Sequence, residues 1–281
     1  MGGLKMKHIR FLFFFGIVIF CLVGFSKVPV SARQESVPIY INDVLCNVDA
    51  YLENNTTFVA LRSFSQNMEL CEVSWNTETN TAQIRSSQSL ITASPENNYM
   101  TANGRCLFDL SAPAAKNGTL YVPLRLAAKA FGATAEWSYE YHCAKVYTKG
   151  IALQSAETYY DADELYWLSK IISAESRGEP LLGQIAVGNV VLNRKNSDTY
   201  PSDVYSVIFD NKYGTQFTPV ANGTIFDEPT PDSVTAAKIC LEGFSVSDEI
   251  LYFINKSRSS STWMDEFCRF VVKIGKHSFY A

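Results

Sequence analysis

The stretch IISAESRGEP, residues 171–180, joins two helical patterns, and its reading decides the C-terminal half of the chain. Upstream of it, Leu165, Leu168, Ile171 and Ile172 fall at helical spacing, with Asp161 and Asp163 at the start of the pattern. Glu179 precedes a proline and is steered away from helical angles, so this first helix ends near Ser176, with Gly178 and Pro180 as breakers. Pro180 suits a first helical position and opens a second helix that runs through Ile185, Val187, Val190, Val191 and Leu192 to Arg194. Further on, Pro201 opens a third helix, residues 213–224 read as a loop or hairpin, and residues 231–243 make a fourth helix. Residues 249–254 and 270–274 alternate as strands.

Glu175 sits at the end of an otherwise apolar helix. A carboxyl partly shielded from water has its charged form disfavoured and its pKa raised, which is what a general acid at neutral pH requires. A glutamate at a helix end is also commonly just solvated, and the residues alone leave both readings open. Other chemistries lack their parts. No GxSxG elbow is present for a serine nucleophile. A zinc site needs at least three protein ligands, and beyond residue 32 the histidines are His142 and His277. Cys240 lies mid-helix among Ala236, Ala237 and Leu241, where nothing activates a thiolate. Glu179 is the best-placed second acid, but its neighbour Pro180 suggests a structural cap.

The N-terminal half contains a repeat. TTFVALR at 56–62 is echoed by TLYVPLR at 119–125. Each is followed by a helix-like segment (63–70 and 126–131), then a tryptophan and a short alternating strand (75–84 and 137–147). Asn42-Asp43 and Asn103-Gly104 are hairpin turn signals. The expected organisation is a small α+β module used twice, over 37–86 and 97–149, then a linker at 150–161 and a second domain at 162–281.

Lys5, Lys7 and Arg10 precede an apolar run over residues 11–25, too short for a membrane span of about 20 residues, and Val30-Ser31-Ala32 offers a small-residue exit. Residues 1–32 therefore read as a secretory signal, with an uncleaved anchor as the alternative, and the protein as secreted. Cleavage leaves 20 basic against 28 acidic residues, a net charge of −8. Such a chain, without a basic run, has no electrostatic footprint for nucleic acid. Six cysteines remain, two per segment, so pairing within segments is expected: Cys46 with Cys71, Cys106 with Cys143, Cys240 with Cys268. Six buried free thiols are the competing reading.

Residues 171–194, IISAESRGEPLLGQIAVGNVVLNR, resemble the opening block of the SleB/CwlJ-type cell-wall hydrolases, the spore-cortex-lytic family. GTQFTPV at 214–220, LYFIN at 251–255 and IGKHSFY at 274–280 follow in the family's order. Ser173 and Lys276 depart from it, where an aromatic and an asparagine are common. The resemblance implies a mainly helical, lysozyme/lytic-transglycosylase-like domain within an α+β chain. It also implies Glu175 as catalytic residue, peptidoglycan glycan strands as substrate, and neither metal nor cofactor. Gln216, Phe217, His277 and Arg177 are the expected substrate-binding residues. One glutamate serving as acid and then base fits lytic transglycosylation. A two-carboxylate hydrolase that uses water, and a catalytically silent wall-binding protein, remain alternatives. The repeat resembles the domain named after the N-terminus of copper amine oxidases, a stalk over 37–149 that serves as spacer or as a wall- or protein-binding module. It is expected to be dispensable for bond cleavage and to bind no copper, since His142 is its sole histidine.

Overall fold

The structure is a computed structural model that describes residues 36–212, 214–259 and 262–281. The signal-like segment 1–32 and Cys21 lie outside the described residues. In the N-terminal half, β1 (Ile39–Ile41) and β2 (Val44–Cys46) form a hairpin, as do β3 (Ala50–Glu53) and β4 (Thr56–Ala60). Helix α1 (Leu61–Met68) leads to the hairpin of β5 (Glu72–Asn76) and β6 (Thr81–Arg85), and then to β7 (Leu90–Ala93). The second copy follows the same order. It comprises β8 (Tyr99–Ala102) with β9 (Arg105–Phe108), β10 (Ala114–Lys116) with β11 (Thr119–Pro123), α2 (Leu124–Ala130), and β12 (Thr134–Ser138) with β13 (Cys143–Tyr147). The tight turns Asn42-Asp43, Asn54-Asn55, Asn103-Gly104 and Asn117-Gly118 all have positive φ at both residues. That is the turn whose twist matches antiparallel strands, and Asn, Asp and Gly tolerate it.

The copies are not separate modules. Strand β1 pairs in parallel with β13, giving a sheet β12-β13-β1-β2, and β4 pairs with β11 in a sheet β10-β11-β4-β3. The third sheet, β5-β6-β7-β8-β9, again takes strands from both copies. Ile39, Val59, Phe64, Ile84, Leu107, Val122 and Val146 share one core. A unit of some fifty residues has too little interior to stand alone, and interleaving two copies supplies it. The segments 75–84 and 137–147, expected as single strands, are hairpins whose turns interrupt the alternation.

The expected linker is not free either. Helix α3 (Ala156–Tyr159) lies within it, the amide of Ala156 donates to the Asn103 carbonyl at 2.9 Å, and Asn103 Nδ2 donates to the Leu153 carbonyl at 2.7 Å. The C-terminal half then comprises α4 (Ala162–Ser176), α5 (Leu181–Lys195), α6 (Val204–Phe209), α7 (Thr218–Asn222) followed by a 3-10 turn at Thr224–Phe226, and α8 (Pro231–Leu241). It closes with β14 (Tyr252–Asn255), α9 (Trp263–Phe267), β15 (Phe270–Ile274) and β16 (His277–Tyr280), in a sheet ordered β14-β16-β15. Asp161 caps α4 by accepting from the Glu164 amide at 2.9 Å. Asp203, rather than Pro201, starts α6 by accepting from Ser206. Helices α4, α5 and α8 pack together through Ile172, Ile185, Val187, Ala236 and Ile239. Gly188 lets them close: a Cβ there would stand 2.7 Å from Cys240 Sγ and 2.8 Å from Ile172 Cδ1. The chain is thus α+β, β-rich before residue 150 and mainly helical after it. Among the described residues no helix is long and apolar enough to cross a membrane.

The expected disulfides do not form: Cys46, Cys71, Cys106, Cys143, Cys240 and Cys268 are all free thiols. Cys240 is buried on α8, where its thiol donates to the Ile185 carbonyl at 3.3 Å, whereas Cys268 follows α9. Cys106 belongs to the C-terminal core and Cys143 to a different sheet. Burial pushes the Cys240 thiol far up, which removes it as a nucleophile, and holds Cys106 at about 11.

Candidate active site

A groove of about 930 Å³ opens on the C-terminal half, and its lining is drawn wholly from residues 174–277. Glu175 occupies it from the last turn of α4 and is half-buried. The turns of α4 before it carry Leu168, Ile171 and Ile172 into the core, so the carboxyl is fixed at the edge of an apolar body. Burial raises it to about 7. Among the described residues no hydrogen bond or ion pair reaches the carboxylate, so nothing offsets its loss of water. A carboxyl of this kind gives and takes a proton near neutrality.

Glu179 faces the same groove in a different state. Its Oε2 accepts from the Lys276 amide at 2.8 Å, and its own carbonyl accepts from Gln184 Nε2 at 3.1 Å. Gly275, at φ 57, leaves room for that carboxylate where a side chain would collide with it. Glu179 therefore ties the start of α5 to the β15–β16 turn.

The expected binding residues gather around Glu175. Arg177 follows α4, with Nε donating to the Ser173 carbonyl at 3.1 Å and Nη2 lying 3.6 Å from Asp227 Oδ2. Gln216 lines the groove and donates to the Gly214 carbonyl at 3.0 Å. Phe217 lies at the floor, 2% exposed, with its ring 6.4 Å from Phe253 and 5.2 Å from the Arg194 guanidinium, a packing position. His277 opens β16, 5% exposed, edge-on to Phe253 at 5.3 Å. Burial lowers its pKa and keeps it neutral, and its Nδ1 has no partner among the described residues.

Four features escaped the sequence reading. Asp227 is a further carboxylate in the groove. Its loop is held by Lys170, a buried amine on α4 that donates to the carbonyls of Phe226 at 3.2 Å and Asp227 at 3.0 Å. Arg194 and Arg258 line the groove together with Arg177 and Lys276, beside the carboxylates Glu175, Glu179 and Asp227. An arginine at the end of an apolar helix was the available signal for Arg194, since a long cation there must reach either water or a polar site. Asp227 and Arg258 sit in irregular segments that carry no periodicity.

The two halves meet on the side of α8. Arg105 of β9 donates to Glu242 through Nε at 2.6 Å and Nη2 at 2.7 Å, and Tyr160 Oη donates to the same carboxylate at 2.9 Å. Phe108 meets Phe244 at 4.5 Å between ring centres, and Lys238 Nζ donates to the Gly104 carbonyl at 2.8 Å. The stalk is anchored to the helical half rather than tethered to it.

Comparison with known proteins finds a separate match in each half of the chain. Residues 178–280 match the Cell Wall Hydrolase family, and residues 40–144 match the copper amine oxidase N-terminal domain. The spore cortex-lytic enzyme of Bacillus subtilis is 36% identical over 120 residues, 43% of this chain and 38% of that protein. That of Bacillus cereus is 35% identical over 120 residues, 43% of this chain and 45% of the relative. The chain thus spans less than half the length of these curated relatives. The solved catalytic domain of the germination-specific lytic transglycosylase SleB from Bacillus anthracis is 34% identical, with 43% of this chain and 97% of that one covered and a TM-score of 0.39. Copper does not fit the N-terminal segment: His142 is the one histidine of residues 40–144, and among the described residues no three His, Cys, Asp or Glu side chains converge on a metal-sized site. The C-terminal part of the chain is thus a SleB-like cell wall hydrolase domain, and the segment upstream of it is a copper amine oxidase N-terminal domain.

Proposed function

We propose that the C-terminal domain cleaves the glycan backbone of peptidoglycan between N-acetylmuramic acid and N-acetylglucosamine by lytic transglycosylation, outside the cytoplasm, in cell wall or spore cortex. The observation that carries this reading is Glu175, a half-buried carboxyl raised to about 7 in the groove. In its protonated form it donates to the glycosidic oxygen as the bond from that oxygen to the muramic C1 breaks. The resulting carboxylate takes the proton of the muramic C6 hydroxyl, whose oxygen closes onto C1. The products are a 1,6-anhydro sugar and a free hydroxyl on the leaving sugar, and Glu175 regains its proton without consuming water.

The remaining groove residues have supporting roles. Glu179, engaged by the Lys276 amide, shapes the groove. Gln216, the neutral His277 and Arg177 are placed to contact the sugars or their substituents, while Phe217 supports the floor beneath Gln216. One observation favours a second reading, hydrolysis by water: Asp227 puts another carboxylate in the groove. Mass analysis of fragments from purified peptidoglycan in oxygen-18 water separates the two. Anhydro ends without label support transglycosylation. Labelled reducing ends assign the reaction to hydrolysis with Asp227 as candidate base.

A further inference from the structure

The repeat provides an internal control for the stalk. Arg62 and Arg125 hold equivalent places in VALR and VPLR. Arg62 Nη1 donates to the Val73 carbonyl at 2.9 Å, whereas the exposed Arg125 guanidinium makes no hydrogen bond or ion pair among the described residues. Trp75 and Trp137 correspond in the same way, and the turns after them diverge. In the first copy the turn satisfies itself: Asn76 Oδ1 accepts from the amides of Glu78 and Thr79, and the Thr79 and Thr81 hydroxyls pair at 2.7 Å. In the second copy the turn reads Tyr139-Glu140-Tyr141-His142. Asn80 and His142 keep the same left-handed backbone, φ 50 and 46, so the fold of the turn is unchanged while its chemistry differs. Tyr139 is 80% exposed and touches no other ring among the described residues. An unpacked ring on a turn whose sister turn is polar contributes nothing to the fold and leaves apolar surface in water.

These differences converge on one cavity. It measures about 390 Å³ and is lined by Trp137, Tyr139, His142, Arg125, Asn55, Asp109 and Glu136, among others. Its two carboxylates are engaged, Asp109 by the Ser111 amide at 2.8 Å and Glu136 by Tyr147 Oη at 3.3 Å, whereas Arg125 is not. We propose that it is a second saccharide-binding site, separate from the catalytic groove, and that its ligand is an acidic glycan strand. Ring faces of Trp137 and Tyr139 suit the C–H faces of pyranose rings, and the unpaired Arg125 suits a carboxylate. Asn55 and His142 supply hydroxyl-binding groups at the rim. The volume is that of a small-molecule site. The identity of the glycan rests on the function proposed above, since peptidoglycan is a glycan that carries carboxylates. The Arg105–Glu242 contact ties the half that carries this site to the half that carries the groove, so polymer held here stays at a raised effective concentration for the enzyme.

The test uses the full chain carrying Glu175→Gln, so that polymer is bound but not cut, and measures co-sedimentation with purified insoluble peptidoglycan and with uncharged chitin. Tyr139→Ser should weaken binding to both polymers, and Arg125→Gln binding to peptidoglycan alone, each by about tenfold at a cost in affinity typical of one good contact. Both side chains are exposed, so unchanged thermal melting of the variants verifies the fold. Failure of the parent to sediment, or variants that sediment like the parent, overturns the site. Cleavage by the wild-type chain is read separately. A chain that cuts nothing yet loses binding in these variants would leave the site standing and remove the catalytic reading.

Discussion

The Arg105 guanidinium and the Glu242 carboxylate meet at 2.6 and 2.7 Å with side chains only 7% and 2% exposed, and they join two domains of different fold. Burial alone would raise Glu242. Hydrogen bonds from Arg105 and Tyr160, with the charges of Arg105 and Lys129, outweigh it and hold the carboxyl below its ordinary value.

Arg105→Ala leaves a buried carboxylate with fewer partners and should destabilise the protein by about 3–5 kcal/mol, the range for breaking a buried pair. A depressed carboxyl contributes stability above its unfolded pKa and loses it as pH falls through the folded one. The gap between wild type and Arg105→Ala should therefore narrow below pH about 4. Urea melts at pH 7 and pH 3 check both statements. A fragment beginning at Gln154 keeps every groove residue but exposes Phe244. It should cleave, in line with the expectation that the stalk is dispensable for bond cleavage, while melting at lower temperature than the full chain.

Gly188→Ala should cost about 1–3 kcal/mol, because the added methyl meets Cys240 and Ile172 from two sides of α5. Gly188→Ala combined with Cys240→Ala should recover part of the loss. Equal melting temperatures for wild type and Gly188→Ala would mean that the three helices are looser than they stand here.

The six cysteines beyond residue 32 should all react with an alkylating agent after denaturation without reductant, since each is a free thiol. Peptide mapping that found Cys46 joined to Cys71, or any other pair, would reinstate the disulfide reading.

Glu175 must carry its proton to act as an acid, so the rate should fall as pH rises through about 7. Stability follows the same group. A carboxyl raised by burial favours the folded state below its unfolded pKa and loses that contribution as pH rises through the folded value. Glu175→Gln, which never ionises, should therefore match wild type near pH 4 and exceed it at pH 8, by on the order of 1 kcal/mol.

Much of the helical half was legible in the sequence. The stripe ending at Ile172, the cap at Asp161 and the break at Pro180 fix α4 and α5 locally, and local rules suffice there. The place of Glu175 at the end of α4 followed from the same reading. The rest of its groove was only partly legible: Gln216, Phe217, His277 and Arg177 came from the family resemblance, whereas Asp227 and Arg258 arrive from irregular segments far apart in sequence, and only packing brings them to one edge. In the stalk the Asn42-Asp43 and Asn103-Gly104 turns were readable, but the parallel pairing of β1 with β13 was not. Their alternation would serve equally well against a partner within their own copy, and the choice between partners is made by the shared core. Even cysteine counts in an exported-type chain suggested bridges, whereas burial on separate elements keeps Cys106 and Cys240 apart from their expected mates.

The most direct measurement is the release of soluble fragments from purified peptidoglycan by wild type and by Glu175→Gln, with the products weighed. Removing a general acid–base group costs roughly 10²–10⁴-fold, and here one carboxyl serves both halves of the reaction. Wild type should release fragments with 1,6-anhydromuramic ends, lighter by one water than hydrolytic ones, and Glu175→Gln should fall towards background while remaining folded. Undiminished release by Glu175→Gln would contradict the assignment of Glu175 as the catalytic group.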